Sequence, residues 1–198
     1  EIAQCLVGSE MCIRDSDGTV DGSARKPGDG DTATVQPAIH TAVISMDSRS
    51  NEAETLFRTA IVALEGIPGD QVEGISPLYH VSHLHGSDAM SAVMQMTCRM
   101  DAKALIATLG SVEESLNGDV DLDLVDMPGT VCDEPDCRVP WPSARTHASV
   151  LAPWMDMDPQ ARLGGDPVSY LLAMAPDADR VGLLSDTWIV GSLSLIHI

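Results

Sequence analysis

Aromatic side chains are nearly missing from this chain: one Phe, two Tyr and three Trp in 198 residues. Its core must therefore be filled by Val, Leu, Ile, Ala and some of the ten Met, whose flexible thioethers serve as gap filler rather than as a ligand set. Basic residues are scarce as well, with 11 Lys and Arg against 30 Asp and Glu and a net charge of −19. Binding to nucleic-acid phosphates needs clustered Lys and Arg, so that class of partner is excluded. No apolar run is long enough to span a membrane as a helix, and no Gly-rich phosphate loop of the Walker type is present. The cysteines (Cys5, Cys12, Cys98, Cys132 and Cys137) are odd in number and scattered, which excludes a disulfide framework. These balances point to a cytoplasmic protein, or one that handles cations.

The hydrophobic content, 44%, is that of a globular chain, and the length suits one domain with tails. Residues 1–16 and 192–198 read as non-native tails and are set aside from the fold. Residues 17–38, rich in Gly, Asp, Ser and Thr with Pro27 and Pro37, read as a flexible linker, which implies a further domain upstream. The folded domain is expected over 39–190.

Within it, Ile39 to Met46 has the β-branched richness of a buried strand. Asn51, with Glu54 three residues on, has the spacing of a capping box; Leu56, Ala60, Ala63 and Leu64 then share a helical face up to Gly66. Val72 to Val81 reads as a second strand and Ala92 to Met100 as a third. Asp101 caps a second helix, with Leu105, Ile106, Leu109, Val112 and Leu116 at helical spacing and Asn117-Gly118 at its end. A fourth strand follows. The order β-α-β-β-α-β predicts an α+β fold of the ferredoxin-like kind, an antiparallel sheet with both helices on one face. Beyond it come an acidic excursion from Met127 to Pro142, a short helix over Ser143 to Leu151, another over Pro167 to Met174, and a final strand at Thr187 to Val190.

The fourth strand carries the chemistry. Asp119-Val120-Asp121-Leu122-Asp123-Leu124-Val125-Asp126 alternates acid and apolar residues. Period-two alternation sends Val120, Leu122, Leu124 and Val125 toward a core and lines the other face with Asp119, Asp121 and Asp123, roughly 6.5–7 Å apart along the strand. Such acids repel unless water or a cation lies between them, and Mg²⁺ favours one or two carboxylates plus substrate phosphates. The plain alternative is an edge strand kept from aggregating by its charges. Two other groups could ligate metal. His80, His83 and His85 suit a transition metal or simply form a polar loop. Cys132 and Cys137 could be half of a zinc site, although no second pair of matching spacing follows. Ser76, His80 and Asp88 form no recognisable triad.

Four phrases between Ile39 and Pro159 resemble the 6-hydroxymethyl-7,8-dihydropterin pyrophosphokinase family: Ser76-Pro77-Leu78-Tyr79; Leu109 to Leu116 with Glu113-Glu114; Asp121-Leu122-Asp123-Leu124; and Val139-Pro140 with Val150-Leu151-Ala152-Pro153. The resemblance implies Mg²⁺-dependent transfer of pyrophosphate from ATP to the hydroxymethyl group of a pterin in folate biosynthesis. Asp121 and Asp123 would hold two Mg²⁺ against the ATP phosphates. Arg145 and His147 would take catalytic roles, and Arg138 and Trp141 substrate-binding ones. In the family this domain often follows a dihydroneopterin aldolase domain, which would account for the linker.

The chain departs from the family pattern in several places. The arginine-rich segment before the Asp-Leu-Asp is absent, and Ala104 to Cys137 holds nine acids and no Lys or Arg. His-Pro-Arg reads Trp141-Pro142-Ser143, and the downstream Arg-x-Phe reads His147-Ala148-Ser149. The pterin-contacting Tyr-x-Asn reads Ala89-Met90-Ser91, and the early Gly-Ser-Asn reads Asp47-Ser48-Arg49. Two alternatives therefore stand beside the kinase: a catalytically degenerate domain kept for structure or assembly, and a small acidic metal-binding module.

Overall fold

The computed structural model describes residues 38–83 and 86–189. The expectations for the tails and for most of the linker lie outside them. Strand β1 (His40–Ser48) leads into helix α1 (Ala53–Glu65), then β2 (Gln71–Ile75), β3 (Leu78–Val81), β4 (Ala89–Cys98), α2 (Ala102–Ser115) and β5 (Asp121–Asp126). β1 pairs antiparallel with β4 on one side and with β5 on the other, while β2 and β3 both pair with β4. This is the expected βαββαβ sheet. The second strand is divided: Pro77 has no N–H for the ladder, and Ser76 bridges the gap, its N–H donating to the Val93 carbonyl and its Oγ accepting the Val93 N–H.

The sheet is widened at one edge by β10 (Val181–Ser185) on β3. This replaces the strand expected at Thr187 to Val190; Thr187 to Ile189 form no strand, and Val190 lies outside the described residues. Between β5 and β10 come the hairpin β6 (Cys132–Glu134) and β7 (Cys137–Val139), a 3₁₀ turn (Pro142–Thr146), α3 (Ala148–Met157), the small hairpin β8 (Arg162–Leu163) and β9 (Asp166–Pro167), and α4 (Val168–Met174). The helix expected over Ser143 to Leu151 is thus two elements meeting at His147, and the second runs on to Met157.

Two cores form, one on each face of the sheet. On the helix face, Ala42, Ile44 and Met46 of β1 and Leu122 and Leu124 of β5 pack with Phe57 of α1 and Leu105 and Leu109 of α2. Met46, Met94, Met96 and Met127 are all fully buried there, filling volume that aromatics would otherwise take. The buried stripe of α1 is Ala53, Phe57, Ala60, Ile61 and Leu64. It is rotated from the expected face, leaving Ala63 exposed, because Phe57 and Ile61 carry more apolar area than Leu56 and Ala63.

On the opposite face Val43, Val93 and Val125 meet Val150, Leu151 and Trp154 of α3. Val125 therefore belongs to this second core, not to the first, and it shares a face with Asp121 and Asp123. α3 covers only the middle of that face. Along β1 the face-sharing residues run Thr41, Val43, Ser45, Asp47; along β5 they run Val125, Asp123, Asp121. The apolar rung lies under α3, and polar residues lie beyond it, where the sheet opens to solvent.

Candidate functional site

The register between β1 and β5 sets Asp47 opposite Asp121 and Ser45 opposite Asp123. These four residues floor a cavity of about 850 Å³ just past the edge of α3. Its walls include Glu113 at the end of α2, Asp119, Arg49, His83, Trp141 and His147. Three turns bring the walls together. Asn117 (φ 60°) and Gly118 (φ 71°) take left-handed conformations that reverse the chain from α2 into β5. The Gly118 N–H donates to the Glu113 carbonyl at 2.9 Å, and Glu113 Oε1 accepts the Leu122 N–H at 2.5 Å, so helix and acidic strand are tied at the rim. At the end of β1, Ser48 Oγ donates to the Asp119 carbonyl at 2.5 Å. The acidic excursion returns to β5 when the Trp141 N–H donates to the Val125 carbonyl at 2.8 Å.

Electrostatically the cavity is short of positive charge. Burial, then the carboxylates of Asp121 and Asp123, push the Asp47 carboxyl up from 3.8 to about 7; Arg49 and His147 pull weakly the other way. Burial likewise raises Asp123, with Glu113 and Asp121 adding to it. A hard divalent cation answers this donor set: all oxygen, anionic and packed together. Among the described residues no group of three or more His, Cys, Asp or Glu side chains is arranged to hold a metal ion. The pair Asp121 and Asp123 fits an ion whose remaining coordination comes from phosphate and water, which is how Mg²⁺ is usually held.

Two aromatic rings form the opposite wall. Those of Trp141 and His147 are parallel within 1°, with centroids 6.1 Å apart. His147 Nδ1 donates to the Ser143 carbonyl at 2.6 Å, which fixes a proton on Nδ1 and leaves Nε2 as the second functional nitrogen.

Of the six site residues expected from the sequence, Asp121, Asp123, Trp141 and His147 line this one cavity. Arg138 and Arg145 do not. Arg138 is an exposed residue of β7 opposite Asp133. Arg145 points to the β8–β9 hairpin, donating to the Leu163 carbonyl at 3.0 Å and pairing with Asp166. Ser45, Asp47, Arg49 and Glu113 were not expected in the site. Asp47 and Arg49 lie just past the expected end of the first strand, and their placement depends on β1 running two residues further, to Ser48.

The two other metal readings find no support among the described residues. His80 and the His83 N–H both engage Asp88, at 3.0 and 3.1 Å, as in a polar loop; His85 lies outside the described residues. Cys132 and Cys137 are free thiols on one hairpin, where Lys103 holds the neighbouring Glu134 at 2.6 Å.

No protein-family profile matches the chain, and no curated protein matches it. Solved structures do. One is a Plasmodium falciparum HPPK-DHPS variant with pterin and p-hydroxybenzoate, with a TM-score of 0.63 at 9% identity over 76% of this chain and 48% of that one. The wild-type P. falciparum HPPK-DHPS with the same ligands gives 0.62 at 9% identity over 76% and 47%. An HPPK-DHPS in complex with substrates gives 0.56 at 8% identity over 68% and 44%. The chain spans less than half the length of these neighbours, and the likeness is one of fold.

Proposed function

We propose that the domain is a divergent hydroxymethyl-dihydropterin pyrophosphokinase, acting in folate biosynthesis on ATP and a pterin. The carrying observation is that Asp121 and Asp123 stand side by side on the open face of the sheet, in a cavity that also holds parallel aromatic rings, within a fold like that of HPPK-DHPS. In the proposed reaction the pterin hydroxymethyl oxygen attacks the β-phosphorus of ATP, the bond to the α-phosphate oxygen breaks, and AMP leaves. Two Mg²⁺, when bound, neutralise charge on the phosphates as it develops. Asp121 and Asp123 would hold those ions. Arg49 and His83 are among the cavity side chains able to donate to phosphate oxygens, and Trp141 with His147 offers flat surfaces to the pterin ring.

A degenerate domain is the second reading, favoured by the positions of Arg138 and Arg145 outside the cavity. Transition-state charge in phosphoryl transfer is normally finished by fixed cationic donors, and Arg49 is the one arginine among the cavity-lining residues. Incubation with ATP, Mg²⁺ and 6-hydroxymethyl-7,8-dihydropterin separates the readings. Pterin-dependent AMP, falling at least a hundredfold in Asp121→Asn and in Asp123→Asn, supports the kinase. No AMP above a protein-free control leaves the fold as ancestry.

A further inference from the structure

Arg49 is an uncommitted cation in an acidic place. It lines the cavity together with the carboxylates of Asp47, Glu113, Asp119, Asp121 and Asp123. Three other cations of the chain find acids: Arg58 pairs with Glu54, Lys103 with Glu134 and Arg145 with Asp166. Arg49, amid five carboxylates, forms no salt bridge among the described residues and stays exposed. Its charge is felt at Asp47, where it acts against the burial that raises that carboxyl.

The root of this side chain is fixed. β1 ends at Ser48, and the chain turns toward α1 through Arg49 and Ser50. Ser48 Oγ donates to the Asp119 carbonyl at 2.5 Å and accepts the Ser50 N–H at 3.1 Å. Ser50 Oγ accepts the Glu52 N–H at 3.1 Å. The backbone on both sides of Arg49 is thus tied to the residues ahead of β5 and to the helix entry before any ligand arrives. From such a root the planar guanidinium fork suits two phosphate oxygens at once. Other cations are poorly placed to substitute. Ala104 to Cys137 contains no Lys or Arg, and Arg138 and Arg145 lie outside the cavity. By resemblance Arg49 has no role, because the family phrase ends in Asn at this position.

We propose that Arg49 is the phosphate-binding cation of the acidic cavity, its guanidinium receiving the triphosphate of a nucleotide held through Mg²⁺ by Asp121 and Asp123. The class of ligand rests on the pyrophosphokinase reading; the role of Arg49 does not need the chemical step. The two ligands meet Arg49 with opposite sign. Mg²⁺ alone meets it as a like charge, and the nucleotide brings it anionic oxygens. Removing the charge at position 49 should therefore weaken the nucleotide without weakening the bare ion. A residue that merely offset Asp47 would leave the nucleotide unaffected.

The test uses Mg²⁺ alone and Mg²⁺ with α,β-methylene-ATP, in which the bridge broken by pyrophosphate transfer is uncleavable. Both are titrated by calorimetry into the full chain and into Arg49→Gln, Arg49→Lys and Arg180→Gln; Arg180 is exposed and outside the cavity. Arg49→Gln is expected to weaken the nucleotide by about tenfold or more, while Mg²⁺ alone binds at least as tightly as to wild type. Arg49→Lys, which keeps the charge and loses the fork, should fall between, and Arg180→Gln should match wild type. No nucleotide binding by wild type, undiminished nucleotide affinity in Arg49→Gln, or equal weakening of Mg²⁺ and nucleotide would each overturn the role. Failure of the kinase reading is a separate result: nucleotide bound through Arg49 without pterin-dependent AMP ends that reading and leaves Arg49 as a phosphate-binding residue. AMP formed equally well by Arg49→Gln keeps the reading and ends the role proposed for Arg49.

Discussion

Asp47 shows how much one carboxyl can mean in this protein. Its folded-state pKa of about 7 lies above its ordinary 3.8, so between those values the folded state binds the proton that the unfolded state has lost. Stability contributed by this group is therefore full below about pH 4 and falls as pH rises through 7. With nothing relaxing, the loss is on the order of 4 kcal/mol. Asp47→Asn should flatten that slope and raise stability at pH 8 by about 2 kcal/mol, read from urea midpoints at a series of pH values; an unchanged slope would mean that Asp47 is solvated. Mg²⁺ should act in the opposite sense to the repulsion. Added to wild type it should raise the melting temperature, equivalent to about 2.7 kcal/mol at roughly a hundred times its dissociation constant. The rise should vanish in Asp121→Asn and in Asp123→Asn. ATP should enlarge it if Arg49 and His83 receive phosphates, and add nothing if the domain is degenerate.

Elements differ in how fully their own residues define them. α2 is self-contained: Asp101 Oδ1 accepts the Ala104 N–H at 2.8 Å, and Asn117-Gly118 turns the chain out. Asp101→Ala should cost about 1 kcal/mol in equilibrium unfolding. α1 is different. The expected cap, Asn51, makes no capping bond; Ser50 Oγ accepts the Glu52 N–H at 3.1 Å instead, and the helix starts at Ala53. Asn51→Ala should stay within about 0.5 kcal/mol of wild type. α3 carries Pro153 in its interior. A proline cannot donate to the carbonyl four residues back, and the freed Ser149 carbonyl accepts from Ser91 Oγ of β4 at 3.0 Å. Ser91, 1% exposed, thus joins the helix to the sheet at the edge of the acidic cavity. Ser91→Ala should cost about 1 kcal/mol in the same unfolding assay, because the half-buried Ser149 carbonyl loses this donor. Sequence patterns identified α2 down to its cap, since the signals are local. They missed the α1 register and the break at Ser76-Pro77, because both are decided by what lies across the sheet.

At the scale of the whole molecule the domain is closed by a residue far along the chain. Trp188 packs edge-on against Phe57 with centroids 6.1 Å apart, and its Nε1–H donates to the Ser76 carbonyl at 3.0 Å. That one side chain covers the helix-face core and satisfies the carbonyl before Pro77. Trp188→Ala should destabilise by about 3–5 kcal/mol in thermal or urea unfolding, whereas Tyr170→Ala, 59% exposed on α4, should change little. The sequence by itself determined the order β-α-β-β-α-β, the identity of the acidic strand, and Asp121 and Asp123 as neighbours on one face, since periods of 2 and 3.6 are written in consecutive residues. Tertiary structure alone decided which acids meet. Asp47 reaches Asp121 only through antiparallel pairing of strands more than seventy residues apart, Val125 turns to the second core because α3 returns to cover that face, and Arg145 is drawn to Asp166 rather than to the cavity. Local sequence carries spacing along the chain; it carries neither the register between distant strands nor the partner a long side chain will find, and the makeup of this cavity depends on both.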